Sequence, residues 1–191
     1  MRTRGRAGDD VLIGNGGADV IRGGAGDDLI AISDLMFAAI DGGTGDDTLR
    51  FDGAGMVLDL TSIPPAAIQS IERIDLSGTG PNGLIIDAQA LFDLTEERAS
   101  GEAILIVDGD AGDNVTALGF TANGTQTVDG ITYDVYEMGG ATLLVAQGVS
   151  VAISSDSGAG QAIGPLDAGE APFVHDAVVD LMIYPDSGWL I

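Results

Sequence analysis

The sequence predicts an all-β chain: a parallel β-roll running into a wider parallel β-solenoid, closed by an antiparallel β-meander, with one short helix. Three observations predict it. Nine-residue units with glycine at positions one and four run head to tail through residues 5–31 and return at 42–50. Beyond residue 50, short aliphatic segments bounded by turn residues recur about once per coil. Between 125 and 147, Asp129–Gly130 and Gly139–Gly140 separate three apolar-rich segments, as in a chain of hairpins. The expected divisions are 1–50 (β-roll), 51–153 (solenoid with meander) and 154–191 (linker and tail).

The units read GRAGDDVLI (5–13), GNGGADVIR (14–22), GGAGDDLIA (23–31) and GGTGDDTLR (42–50). Position six is Asp10, Asp19, Asp28 or Asp47, and position eight is Leu12, Ile21, Ile30 or Leu49. A fixed short period of this kind sets the whole architecture. The first six positions turn the chain sharply, which glycine does at positive φ without steric cost. The last three are too few for a helix and suit a short strand whose middle side chain points to one face. Two units then make one turn of a flattened coil, and each strand pairs in parallel with the strand two units on. The core is a single aliphatic row. At about 25 cal/mol per Å², so thin a row falls short of an ordering entropy of about 1–2 kcal/mol per residue.

The sixth-position carboxylates supply what is missing. Stacked in successive coils they repel, unless a hard divalent cation takes them together with main-chain oxygens exposed by the glycine turn. Ca²⁺ accepts about six to eight oxygens in flexible geometry, whereas Mg²⁺ demands a smaller rigid octahedron. With no Cys and one His, softer metals have no evident ligands. The expected metal residues are Asp10, Asp19, Asp28 and Asp47, with the fourth-position glycines Gly8, Gly17, Gly26 and Gly45.

Residues 32–41, ISDLMFAAID, break the period. Ser33 and Asp34 turn the chain, while Leu35, Phe37 and Ile40 cover the open side. Two parities stay open. If the segment counts as one imperfect unit, Asp47 stacks on Asp28, and Asp28 is shared between Asp10 and Asp47. If it loops out, Asp47 stacks on Asp19. Either arrangement holds about two or three ions.

Strands are expected within 56–63, 71–78, 83–89 and 103–110. In DAQALFDLTEER, Asp87 is an N-cap for a short helix carrying Ala88, Leu91 and Phe92 at helical spacing. GDAGDNVTA (109–117) is a degenerate fifth unit with Asn114 at the aspartate position and Asp113 one place early, so a plain turn is favoured over an ion site. The meander spans 125–128, 131–137 and 141–147, and its apolar face is expected to close the end of the solenoid. The segment 154–172 is a linker by composition.

The four units resemble the repeats-in-toxin (RTX, haemolysin-type) calcium-binding nonapeptide, GGxGxDxUx. The resemblance covers 36 of 191 residues and departs at two second positions, Arg6 and Asn15. It implies a Ca²⁺-folded β-roll in an exported bacterial protein. Such proteins typically leave the cell by type I secretion through an uncleaved C-terminal signal, a role the 173–191 tail would fit. More loosely, 51–147 resembles segments found beside such repeats in large bacterial surface and adhesin-like proteins, which bring no catalytic residues.

Thirty acids against seven bases, all Arg, give a formal charge of −23. That charge opposes nucleic-acid binding and swells a metal-free chain. Asp outnumbers Glu by 24 to 6, as suits turns and oxygen cages. The absence of Cys excludes disulfides. No apolar run follows the arginines of MRTRGRAGDD as in a signal peptide, and no stretch is long enough for a membrane span. With no capping element before the first repeat, the chain reads as a monomer or as the C-terminal piece of something longer. HExxH, GxSxG and a Cys nucleophile are all missing. His175, the Glu96–Glu97–Arg98 cluster and Trp189 suggest no catalytic set, so no enzyme is expected. Two functions remain: a secreted, calcium-binding structural or adhesive module, or the non-catalytic secretion and folding domain of an exported protease, lipase or polysaccharide-modifying enzyme.

Overall fold

The computed structural model describes residues 1–95 and 102–154, which lie in one compact unit, Met1–Asp156. Glu96, Glu97, Arg98, His175, Trp189 and the tail expected to carry a secretion signal lie outside the described residues.

The last positions of each repeat are strand, as the period predicts. In chain order the roll comprises β1 (Arg2–Arg4), β2 (Val11–Gly14), β3 (Val20–Ala25), β4 (Leu29–Ile32), β5 (Ala39–Thr44) and β6 (Thr48–Phe51). There follow β7 (Val57–Asp59), β8 (Ile68–Gln69), β9 (Arg73–Asp75) and β10 (Gly83–Asp87). After helix α1 (Ala88–Leu94) come β11 (Ala103–Asp108), β12 (Asn114–Leu118), β13 (Thr121–Val128), β14 (Ile131–Met138), β15 (Ala141–Ala146) and β16 (Ser150–Ser154). No capping element was expected before the first repeat, yet β1 is there, pairing with β3 in the place a repeat strand would take.

One face of the coil is an eight-stranded sheet ordered β13-β14-β15-β11-β9-β6-β4-β2; the other is divided into β1-β3-β5-β8 and β16-β12-β10-β7. Along the long sheet the parallel partners run Val11, Leu29, Thr48, Arg73, Ile106 and Leu144. The steps between them are therefore 18, 19, 25, 33 and 38 residues, so the coil widens steadily toward the C-terminus. The added length houses the loop before β8, then α1, then the β13–β14 hairpin. β15 takes the next parallel place beside β11, and β14 and β13 extend the sheet antiparallel.

The core is the row expected from the repeats, continued: Leu12, Ile21, Ile30 and Leu49 are buried and belong to one cluster with Ile74, Leu84, Leu105, Val115 and Leu143. Ile40 enters the same row from β5, while Leu35 and Phe37 pack partly buried against it. Asp87 caps α1, its carboxylate accepting from the Ala90 N–H at 2.7 Å. The helix buries Ala90, Leu91 and Leu94 on the core.

Candidate metal centre

The residue preceding each long-sheet strand of the roll is an acid: Asp10 before β2, Asp28 before β4, Asp47 before β6. Their backbones and side chains interlock. The Asp10 N–H donates to Asp28 Oδ1 (2.7 Å) and the Asp28 N–H to Asp47 Oδ1 (2.8 Å). The column then leaves the repeats, for the Asp47 N–H donates to Glu72 Oε2 at 2.9 Å. The interruption thus acts as one imperfect unit: Asp47 stacks on Asp28 and not on Asp19. A second, exposed column runs beside it, with Asp27 N–H donating to Asp9 Oδ1 and Asp46 N–H to Asp27 Oδ1, both at 2.9 Å. The two columns account for the paired aspartates Asp9–Asp10, Asp27–Asp28 and Asp46–Asp47.

The second oxygens differ along the buried column. Asp28 and Asp47 are 2% and 0% exposed, and Oδ2 of each has no hydrogen-bond partner. Asp10 Oδ2 instead accepts from the Arg6 N–H at 2.7 Å. The difference lies at the second position of the unit. Gly24 and Gly43 take φ of +133° and +113° there, a region that Arg6 does not occupy and a side chain resists.

The first-position glycines make room for these oxygens. A Cβ on Gly23 would run into both Gly42 O and Asp28 Oδ2, and one on Gly42 into both Ser70 O and Asp47 Oδ2. Each orphan oxygen therefore faces the same small space as a main-chain carbonyl of the next coil. Gly26 and Gly45, at φ +123° and +134°, lie hard against the backbone of the preceding coil, at Gly8 and Gly26. Gly8 and Gly17 also have positive φ but open space around them, so their requirement is conformational alone.

Burial pushes the Asp47 carboxyl up to about 6, with the charges of Asp28, Glu72 and Asp27 adding to the rise and the Asp28 N–H opposing it. An unmade bond at a buried polar atom costs about 1–3 kcal/mol, and more at a charged one. A cation among these oxygens removes that cost. No group of three or more Asp, Glu, His or Cys side chains converges on one point among the described residues. Main-chain carbonyls would therefore have to supply most of the ligands, a donor set that suits Ca²⁺.

Asp19 lies at the other edge of the coil, buried, with its carboxylate 2.6 Å from the Met1 amino group. Beside it Asp34 Oδ2 accepts from the Gly17 N–H at 3.1 Å. Asp10, Asp28 and Asp47 are thus brought together, and Asp19 with Gly17 is set apart from them.

A third column, before the strands of the β7-β10-β12 sheet, is complete in itself. Asn82 Oδ1 accepts from the Met56 N–H (3.0 Å), while its Nδ2 donates to Leu76 O (2.9 Å) and Gly53 O (3.1 Å). Asp113 accepts from the Asn82 N–H with Oδ1 (2.8 Å) and from the Asp110 N–H with Oδ2 (2.7 Å). In the degenerate fifth unit it is therefore Asp113, not Asn114, that takes the column position. Both its oxygens accept hydrogen bonds.

Comparison with known proteins identifies the first repeats. A family model described as RTX calcium-binding nonapeptide repeat (4 copies) matches residues 4–31. No curated protein and no solved structure matches the chain. The stretch that builds the first coils, residues 4–31, consists of RTX calcium-binding nonapeptide repeats.

Proposed function

We propose that this chain is a non-catalytic structural or adhesive RTX module of an exported protein, in which Ca²⁺ folds the roll of residues 1–50 onto a solenoid, 51–153, that stands without ions. The observation that carries the reading is the pair of buried, partnerless oxygens, Asp28 Oδ2 and Asp47 Oδ2. Each faces a carbonyl of the next coil across a glycine. We place the ions along the Asp28–Asp47 column. Asp10 contributes its backbone N–H to that column, and Gly8, Gly26 and Gly45 shape its turns.

An ion bound only by the folded state adds RT ln(1 + [L]/Kd), about 2.7 kcal/mol per site at a hundredfold excess. Sites of extracellular modules bind at about 10⁻⁴–10⁻³ M, so millimolar calcium outside the cell would fold the roll and the low calcium inside would not. That switch supports a structural or adhesive role outside the cell.

The test is a calorimetric calcium titration of the chelator-stripped chain, with far-ultraviolet circular dichroism at each point. Two or more equivalents bound with a coupled gain of strand signal support the proposal. A chain that shows no heat of binding and unchanged strand content refutes it.

A further inference from the structure

We propose that Glu72 and the main-chain carbonyl of Ser70, both outside the nonapeptides, complete a Ca²⁺ site with Asp47 that fastens the first non-repeat coil to the roll. This rests on the calcium reading above and names one of its sites.

Successive coils repeat one arrangement. A Cβ on Gly5 would meet Gly23 O, one on Gly23 would meet Gly42 O, and one on Gly42 would meet Ser70 O. Ser70 therefore stands in the column of first-position glycines. Its backbone differs from theirs: its φ is +54°, one of two positive values among non-glycine residues described, whereas Gly5, Gly23 and Gly42 are not at positive φ. A side chain resists that region. The conformation sets the Ser70 carbonyl where Gly42 O lies one coil earlier.

Glu72 stands likewise in the column of aspartates. It accepts the Asp47 N–H just as Asp47 accepts that of Asp28. In the repeats the glycine and the acid are five residues apart, as from Gly42 to Asp47; Ser70 and Glu72 are two apart. Glutamate's additional methylene supplies reach that the shortened turn lacks. The independent pointer to a ligand is Asp47 Oδ2, fully buried, partnerless and facing the same space as Ser70 O. Oxygens from a carboxylate pair and a carbonyl select a hard divalent ion, and flexible spacing favours Ca²⁺ over Mg²⁺.

Glu72→Gln separates a ligand from a mere hydrogen-bond acceptor, because the amide still accepts the Asp47 N–H but carries no charge. Calorimetric calcium titrations of the full chain would compare wild type, Glu72→Gln and Ser70→Gly. Glu72→Gln should bind one ion fewer, or bind one ion at least about tenfold more weakly, with the other site unchanged. Ser70→Gly should keep the wild-type count, since its carbonyl is main chain. Wild-type count and affinities in Glu72→Gln overturn the proposal and leave the calcium reading standing; a wild type that takes up no calcium overturns both. If Glu72→Gln loses its strand signal, Glu72→Asp decides: weaker binding at one site supports the site, and unchanged binding overturns it.

Discussion

Replacing Asp47 by Asn should make the metal-free protein more stable and the calcium-loaded protein less so. The amide keeps an oxygen for the Asp28 N–H, now accepted at 2.8 Å, and exchanges the partnerless Oδ2 for a donor. A carbonyl is within reach, since Ser70 O shares the space in front of Gly42. The chain already uses this solution at Asn82, whose Nδ2 donates to two carbonyls. The magnitude follows from the carboxyl, raised by burial and neighbouring acids from 3.8 to about 6. At about 1.4 kcal/mol per pH unit, the ionised form costs about 3 kcal/mol at neutral pH, and solvent screening lowers this to about 1–3 kcal/mol. In chelator at pH 7.5, thermal unfolding followed by circular dichroism should rise by about 2–10 °C. In millimolar calcium the order should reverse, because Asp47 borders both proposed ions and each is worth about 2.7 kcal/mol at a hundredfold excess. A variant that is less stable than wild type in chelator, or that keeps the full calcium response, would refute the reasoning.

Arg6→Gly keeps the backbone N–H that Asp10 Oδ2 accepts at 2.7 Å but lets the second position take the positive φ of Gly24 and Gly43, which should turn that N–H away and add one bound ion, counted by calorimetry; an unchanged count would show that the second position does not control the slot. Asn82→Asp should lose both donor bonds and bury a charge, costing roughly 3 kcal/mol or more in chelator, with partial recovery in calcium; urea denaturation with and without calcium checks it. Stability should depend on pH in opposite senses with and without the ion. The folded Asp47 carboxyl titrates near 6 against 3.8 when unfolded, so in chelator stability falls as pH rises through that window and levels off above it. In calcium, protons compete for the site and affinity falls as pH drops below about 6. Parallel slopes in the two conditions, or no flattening of the chelator slope by Asp47→Asn, would contradict this.

The roll was legible because its period is rigid: Gly at one and four, Asp at six and an aliphatic residue at eight fix turn, column and core together. Parity across 32–41 was not legible, since it depends on Ile40 entering the core row from β5, which no spacing announces. Ser70 and Glu72 were invisible as members of the columns because they stand two residues apart where the repeat has five. Asn82 was invisible because asparagine after Pro81 reads as a turn residue in any β protein. Strand β16, SVAIS, is largely exposed and has no apolar stripe to mark it; it is ordered by pairing with β12. The helix was read correctly from Asp87 and its apolar spacing because both signals are local.

One slot recurs through the chain, and one atom decides what fills it. At Asp28, Asp47, Asn82 and Asp113 a side-chain oxygen accepts the N–H of the coil before, and the second atom of that side chain varies from rung to rung. At Asp10 it is closed by a backbone N–H, at Asp113 by the Asp110 N–H, and at Asn82 it is itself a donor. At Asp28 and Asp47 it is an oxygen with no partner. On the proposed reading, ion dependence is a property of single rungs and not of the architecture, in keeping with the nearest-neighbour energetics of stacked repeats. It follows that the coils carrying Asn82 and Asp113 can form first and present β9, with Ser70 and Glu72 before it, as a ready edge. On that reading calcium has to order only the coils of β1 to β6, each pairing onto one already in place. That is a far smaller ordering entropy to offset than folding the chain whole, and the sites need supply only what the aliphatic row and strand pairing leave uncovered.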